Sequence, residues 1–400
     1  MQTNGLWVNP SQCSGCGSCM VRCPKDAISL AEGAGGFVFP KIDGSLCVDC
    51  GLCRKVCGLQ NHFAQKTKGP WYAAAYKNDC SESASGGAFY AIARSVVLAG
   101  GVVFGAACLF DETGINVRHV MADDLSGLRI LRGSKYVQSD AYGCFPQVVD
   151  MLKKGREVLF SGTPCQVAGL RGYLGKEWPN LFTIDLVCHG VSSEAMLRDY
   201  LALIARRAND TVNGLNFRSK RDGWTRSRLL ELRYESGARQ FLDSEKTSYY
   251  DLFNHSKTLR DSCYACPFAG PLRPGDITVG DFWGVDKNRP DVLEHNGFNL
   301  EKGISCLLVN DAKGVEALRR YGDSLALSEV SFEDIAKGNG RLRCPNERDA
   351  DHVLYLNAFD EGGWNSVERL WKRRERGIVY QVKRAIWIIA HRWLPGLLNI

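Results

Sequence analysis

Between Trp71 and Arg343, apolar runs of strand length alternate with segments whose apolar residues recur every three or four positions. The runs VVFGAA (Val102–Ala107), VLFSG (Val158–Gly162), LFTIDLVC (Leu181–Cys188) and ISCLLVN (Ile304–Asn310) predict buried strands. AFYAIARSVVLA, PQVVDMLKKG and SEAMLRDYLALIARR lie between them and predict amphipathic helices. Such alternation predicts an α/β domain over residues 70–345, with a mainly parallel sheet covered by helices. The longest uncharged run between Trp71 and Arg343, Ser95 to Phe110, is interrupted by three glycines. It is shorter than the roughly 18–20 apolar residues that cross a bilayer. It predicts a buried helix end, a turn at Gly100–Gly101 and a buried strand.

The pattern changes near the end of the chain. From Val367 onwards apolar residues fall at Val367, Leu370, Trp371, Ile378, Val382, Ile386, Ile389 and Trp393, with Lys and Arg filling the gaps. Residues 346–400 therefore predict a basic amphipathic tail. Such a helix suits an anionic membrane surface, and equally suits docking on its own body or on a partner.

Charge sharpens this division. The chain has 50 basic and 44 acidic residues, a net charge of +6. Val367 to Ile400 holds eight Lys/Arg and two Glu, which accounts for the whole excess. The remainder is balanced, so the body offers no nucleic-acid surface. With 45% apolar and 24% charged residues, the composition is that of a soluble globular protein.

Seventeen cysteines change the picture most. The opening MQTNGLWVNP lacks the basic-then-apolar build of a signal peptide, so the expected location is the cytoplasm, with the basic tail as an optional contact to the inner face of the membrane. Thiols in a reducing compartment are metal ligands or catalytic groups more often than disulfides. Two runs share one spacing: Cys13, Cys16, Cys19, Cys23 followed by Pro24, and Cys47, Cys50, Cys53, Cys57 followed by Gly58. Three cysteines in seven residues wrap three corners of an iron–sulfur cube. In two-cluster ferredoxins the fourth cysteine of each run serves the other cluster. This predicts one 4Fe–4S cluster on Cys13, Cys16, Cys19 and Cys57, and another on Cys47, Cys50, Cys53 and Cys23. Gly15, Gly17 and Gly51 permit the tight turns around the sulfurs. Zinc normally takes two separated pairs, so the doubled four-cysteine run favours iron–sulfur. KDAISL, after the first run, predicts a short strand. Residues 1–65 thus form a ferredoxin-like α+β domain, followed by the polar linker GLQNHFAQKTKGPW.

Five loops of the body carry candidate chemistry. SASGGAF places Ser85, Gly86 and Gly87 before a helix, where N–H groups suit a phosphate or simply cap the helix. RGSKYVQSD brings Lys135 beside a glycine and an aromatic ring, in what is otherwise a solvated loop. FSGTPCQVAGL turns from strand to helix at Gly162 and Thr163, a phosphate cradle. There Cys165 reads as a cluster ligand, a thiolate activated by the helix dipole, or an inert buried thiol. DLVCHG puts Cys188 and His189 at a strand's C-terminal end, where α/β sites gather. CYACPFAGPLRPGDITVGDFWG offers Cys263 and Cys266, and Asp276, Asp281 and Trp283 that bind a polar cofactor edge or close a turn. Cys165, Cys188, Cys263 and Cys266 make four thiols on the body, enough for a third cluster.

Together, SASGGAF, RGSKYVQSD, LFSGTPCQVAGL, DLVCHGVSS, FRSKRDGW and the CYACP segment behind a two-cluster run resemble the beta-subunit family of coenzyme F-420 hydrogenase/dehydrogenase, over about Cys13 to Asn310. The resemblance implies an iron–sulfur flavoprotein oxidoreductase passing electrons between clusters, FAD and a soluble carrier or organic substrate. The deazaflavin coenzyme is the substrate of archaeal members, and plant chlorophyll reductases of the family act on others. The sequence is most similar to the bacterial branch, often found among genes for surface polysaccharides. The resemblance also implies Cys165, Cys188, Cys263 and Cys266 as ligands. An alternative role is an electron-relay subunit that docks on a larger oxidoreductase and has no substrate of its own.

Overall fold

The computed structural model describes residues 10–61, 65–66, 69–226 and 229–375. Its centre is an eight-stranded sheet. In spatial order the strands are Leu325–Val330, Trp71–Tyr76, Ser305–Val309, Ile277–Asp281, Leu181–Leu186, Val158–Gly162, Val102–Asp111 and Gly114–Ala122. Only the middle is parallel: Ile277–Asp281 with Leu181–Leu186, that strand with Val158–Gly162, and Val158–Gly162 with Val102–Asp111. The four remaining pairings are antiparallel. The expectation of a mainly parallel sheet is thus corrected to a mixed one. The reason is local. Val102–Asp111 turns straight back through Glu112 and Thr113 into Gly114–Ala122, too short a connection for a crossover. That returning strand alternates buried and exposed positions, whereas Val158–Gly162 is buried at every position, as a strand covered on both faces must be.

One layer of helices, Ala88–Leu98 and Ala312–Tyr321, packs over the sheet with Ile92, Val96, Leu159, Ile277 and Leu307 fully buried between. Each such side chain contributes about 1.5–3 kcal/mol. Phe145–Lys153 and Pro164–Leu174 cover part of the opposite face. A separate three-stranded antiparallel sheet, Val212–Ser219, Leu229–Tyr234 and Arg239–Asp243, shares its core with the helix Glu194–Ala208.

The N-terminal module contributes one hairpin, Ile28–Glu32 against Val38–Ile42, and short helical turns around the cysteines. It is held tightly on the body. A Cβ on Gly58 would lie 2.7 Å from the Ala168 carbonyl carbon, and one on Gly169 would lie 3.0 Å from the Cys16 sulfur. Gly58 needs to be glycine because two backbones meet there, and Gly169 because the Ser18 and Cys16 side chains press against it. Within the expected linker, Gly58–Asn61 is helical and Gln65–Lys66 pairs with Leu272–Arg273.

The last described helix, His352–Glu375, kinks at Gly362–Gly363, where Gly363 adopts φ +61°. It docks on the body. Trp364 and Val367 are fully buried, and Trp371 donates its indole N–H to Asp251 at 2.6 Å. So the apolar stripe at Val367, Leu370 and Trp371 faces the protein's own core rather than a membrane. Ile378, Val382, Ile386, Ile389 and Trp393 lie outside the described residues. Among the described residues no helix is long and apolar enough to cross a membrane.

Candidate redox site

The eight N-terminal thiols fall into two groups. Cys13, Cys16, Cys19 and Cys57 line one small cavity. Cys23, Cys47, Cys50 and Cys53 line another of about 190 Å³. Gly17 and Gly51, both in the left-handed region, start the short helices Ser18–Val21 and Leu52–Lys55 that carry the third cysteine of each run. The two groups touch electrostatically. Burial first, then Cys16, Cys13, Cys57 and Cys53, hold the Cys19 thiol far above its ordinary range. Burial and then Cys16 push Cys57 up to about 12. Their exposure differs. Cys13, Cys19 and Cys57 are buried, while Cys47 and Cys50 are open to solvent beside exposed Leu46 and Val48.

The four body cysteines also come together, from separate loops. Burial raises Cys188 most, followed by Cys263, Cys165 and Cys266. Cys165 is pushed up to about 12, by burial and then by Cys266, against the lowering effect of the Thr163 hydroxyl, 3.2 Å from its sulfur. It also senses Cys16, so this group adjoins the first N-terminal one. Of the three readings of Cys165, desolvation weighs against the dipole-activated thiolate. Among the described residues no three or more His, Cys, Asp or Glu close on a single metal ion. A four-iron cube needs its sulfurs further apart than one ion does.

Strong scaffolding holds this third group. Asp185, fully buried at the end of Leu181–Leu186, accepts from Arg273 Nη2 at 2.7 Å, Thr278 at 2.6 Å and the Gly275 amide at 2.9 Å. Arg273 in turn donates to the Phe268 and Leu186 carbonyls, bracing the segment after Cys266. Asp276 accepts from Arg171 and Thr183, which ties the start of Ile277–Asp281 to the neighbouring strand and to the helix Pro164–Leu174.

Residues 155–334 match the family described as the C terminus of the beta subunit of coenzyme F420 hydrogenase/dehydrogenase, and residues 12–60 match the "4Fe-4S dicluster domain". The chain thus carries a segment similar to the C-terminal part of that beta subunit behind a dicluster segment. It is an iron–sulfur, electron-transfer protein of oxidoreductase type. Among solved structures it is similar to a chain of the F420-reducing [NiFe] hydrogenase complex from Methanosarcina barkeri, at 15% identity and a TM-score of 0.45, covering 79% of this chain and 95% of that one. No curated protein sequence matches the chain.

In this body a cavity of about 710 Å³ opens beside the third cysteine group, and Cys188 is part of its wall. Ser85, Gly87, Lys135, Gly162 and Thr163 line it as well. Gly87 stands at φ +82° immediately before the helix Ala88–Leu98. Gly162–Thr163 leads into Pro164–Leu174, where Thr163 and Gln166 form a capping box. Gly86 has another job: a Cβ there would meet the Ala74 oxygen at 2.6 Å and the Ser305 nitrogen at 2.7 Å, so it lets the loop lie against the sheet. Lys135 turns its ammonium onto the carbonyls of Ile130, Leu131 and Arg132, which ties down its own loop rather than presenting a free cation. Burial pulls it down to about 8.

Sequence reasoning passed over one wall residue, Arg218, and two residues that brace the wall, Trp224 and Lys220. Arg218 is buried, pairs with Asp281 at 3.1 Å and lies 4.9 Å from the centre of the Trp283 ring. Trp224 stacks on Trp283 at 4.8 Å and donates to Asp281 at 2.9 Å. Lys220 donates to the carbonyls of Cys80, Ser85 and Lys302, fixing the SASGGAF loop. The cavity thus has a rigid aromatic and cationic wall at Asp281 and an amide-rich wall at two helix starts. The FRSKRDGW stretch contains the signal, but spacing alone does not tell which of its cations turn inward. His189 donates to the Phe253 carbonyl, or accepts from Ser256, and is held below its ordinary value by burial.

Proposed function

We propose that this chain is an iron–sulfur flavoprotein oxidoreductase that moves electrons between a redox partner protein or soluble carrier and an organic substrate. Cys13, Cys16, Cys19 and Cys57 would hold one 4Fe–4S cluster, Cys47, Cys50, Cys53 and Cys23 a second, and Cys165, Cys188, Cys263 and Cys266 a third. FAD would occupy the large cavity, its phosphates near Ser85, Gly87, Gly162 and Thr163 and its ring system against the wall at Trp283. When bound, a flavin converts between one-electron and two-electron transfer.

The observation that carries this reading is Cys188: it belongs to the buried third group and also forms part of the wall of the 710 Å³ cavity. The sulfur groups and the cavity therefore form a continuous line, from solvent-exposed Cys47 and Cys50 through the buried first group to the cavity. A partner would approach at the exposed end, around Leu46 and Val48. The protein's own residues exclude water from the inner groups, fix the loops by the Asp185–Arg273 pair, and set the polarity of the cavity through Arg218 and Asp281.

Anaerobic purification with flavin quantitation tests the enzyme reading. It predicts about one FAD per chain and substrate-dependent bleaching of the flavin band. A protein loaded with iron and sulfide but empty of flavin would instead be a relay subunit docking on a partner oxidoreductase.

A further inference from the structure

The other two buried arginines of the body each have a carboxylate among the described residues. Arg273 pairs with Asp185 and Arg218 with Asp281, and the half-buried Arg171 pairs with Asp276. Arg260 is as buried, at 1% exposure, and has none among the described residues. The undescribed segments 1–9, 62–64, 67–68, 227–228 and 376–400 contain no Asp or Glu to supply one. Each of its three nitrogens is engaged with a neutral oxygen. Nε donates to the Cys13 carbonyl at 2.8 Å, Nη1 to Gln138 Oε1 at 3.0 Å, and Nη2 to the Val38 carbonyl at 2.7 Å. Its flat face lies 4.4 Å from the centre of the Phe39 ring.

A buried charge is costly unless an opposite charge compensates it. The compensation must come from what surrounds Arg260. Nη2 lies 3.9 Å from the Cys13 sulfur. Three residues on, the Cys263 amide donates to the Arg260 carbonyl at 2.8 Å. Arg260 therefore stands between the first N-terminal sulfur group and the body group. A cluster in four thiolates is anionic, and each reduction makes it more so. A fixed cation nearby favours the reduced state.

We propose that Arg260 is the shared counter-charge of the centre at Cys13, Cys16, Cys19 and Cys57 and the centre at Cys165, Cys188, Cys263 and Cys266, raising the reduction potential of both. This rests on the reading that both groups hold 4Fe–4S clusters. The step it governs is the addition of one electron to each centre. The hydrogen bonds of Arg260 to Cys13, Val38 and Gln138 also clamp the N-terminal module on the body. The charge and the clamp separate by substitution.

The test is an EPR-monitored redox titration of the full chain, purified anaerobically, with iron counted in each sample. Arg260→Gln removes the charge. Two of three reduction steps then become at least tenfold less favourable, 59 mV for a one-electron couple. The step belonging to Cys23, Cys47, Cys50 and Cys53 stays in place. Arg260→Lys keeps the charge and holds all three constants within threefold of the parent. Gln138→Glu sets a carboxylate against the guanidinium and shifts the same two steps as Arg260→Gln. If both neutralising variants lose iron, retention by Arg260→Lys supports the proposal and loss from it overturns it, since only the clamp would then matter. A fully loaded Arg260→Gln with unshifted potentials overturns the proposal alone. A parent without iron overturns the cluster reading beneath it.

Discussion

Asp185→Asn tests the scaffold of the body sulfur group. The side chain is fully buried, and Arg273 is 1% exposed. Asp185 Oδ1 accepts from Arg273 Nε at 3.2 Å and Nη2 at 2.7 Å and from Thr278 at 2.6 Å, while Oδ2 accepts from the Gly275 amide at 2.9 Å. Asparagine keeps the shape, but removes the charge and turns an NH₂ group towards either the Gly275 N–H or the guanidinium. It leaves Arg273 as an uncompensated buried cation. Breaking such a pair from one side costs about 3–5 kcal/mol. For a 400-residue chain, an unfolding entropy of about 2.1 cal/mol/K per residue converts about 4 kcal/mol into a fall in Tm of roughly 5 °C. Thermal unfolding followed by tryptophan fluorescence under anaerobic conditions reads it. The double change Asp185→Leu with Arg273→Met should recover more than half of the loss, because apolar replacement of both partners removes the stranded charge. A single variant that melts within about 1 °C of the parent, or a double variant less stable than the single one, would refute the reasoning.

Two further outcomes follow from other parts of the core. His119 is buried neutral, donating from Nε2 to the Ser161 carbonyl and accepting at Nδ1 from Ser139, and burial lowers its pKa from 6.5 to about 4. The unfolded chain therefore binds the proton first, so this contribution is complete above pH 6.5 and declines as pH falls towards 4, by up to about 3 kcal/mol. Denaturation curves of His119→Gln should show a shallower loss of stability than the parent across that window; parallel curves would contradict it. Trp364→Ala removes a fully buried indole that donates to Ser248 at 2.9 Å and packs on Tyr200 and Tyr249. A loss of about 3–5 kcal/mol is expected. Limited proteolysis should then cut within His352–Glu375, and resistance equal to the parent would argue against docking as the helix's role.

The sequence was most legible where one residue type carries the pattern. VLFSG is a strand over its predicted span, Val158–Gly162, and the helices starting near Ala88 and Glu194 begin within a residue of expectation. Gly114–Ala122, an alternating edge strand carrying Arg118 and His119, was not legible as sheet, and with Trp71–Tyr76 and Leu325–Val330 it makes the sheet mixed. The tail's stripe was visible as amphipathic, but a stripe does not say what covers it; Trp364 and Trp371 answer that by hydrogen bonding to Ser248 and Asp251. In the site, the cysteines announced themselves by spacing. Arg260 and Arg218 did not, because an arginine outside an apolar run reads as solvated, and only three-dimensional packing makes it buried.

The central claim is a line of three sulfur-bound centres leading from an exposed end to an internal cavity. Iron and acid-labile sulfide counted per chain, after anaerobic purification, test it most directly. The account predicts about twelve irons and as many sulfides. About eight would remove the centre at Cys165, Cys188, Cys263 and Cys266, and with it the link to the cavity. Zinc in place of iron would contradict the account outright.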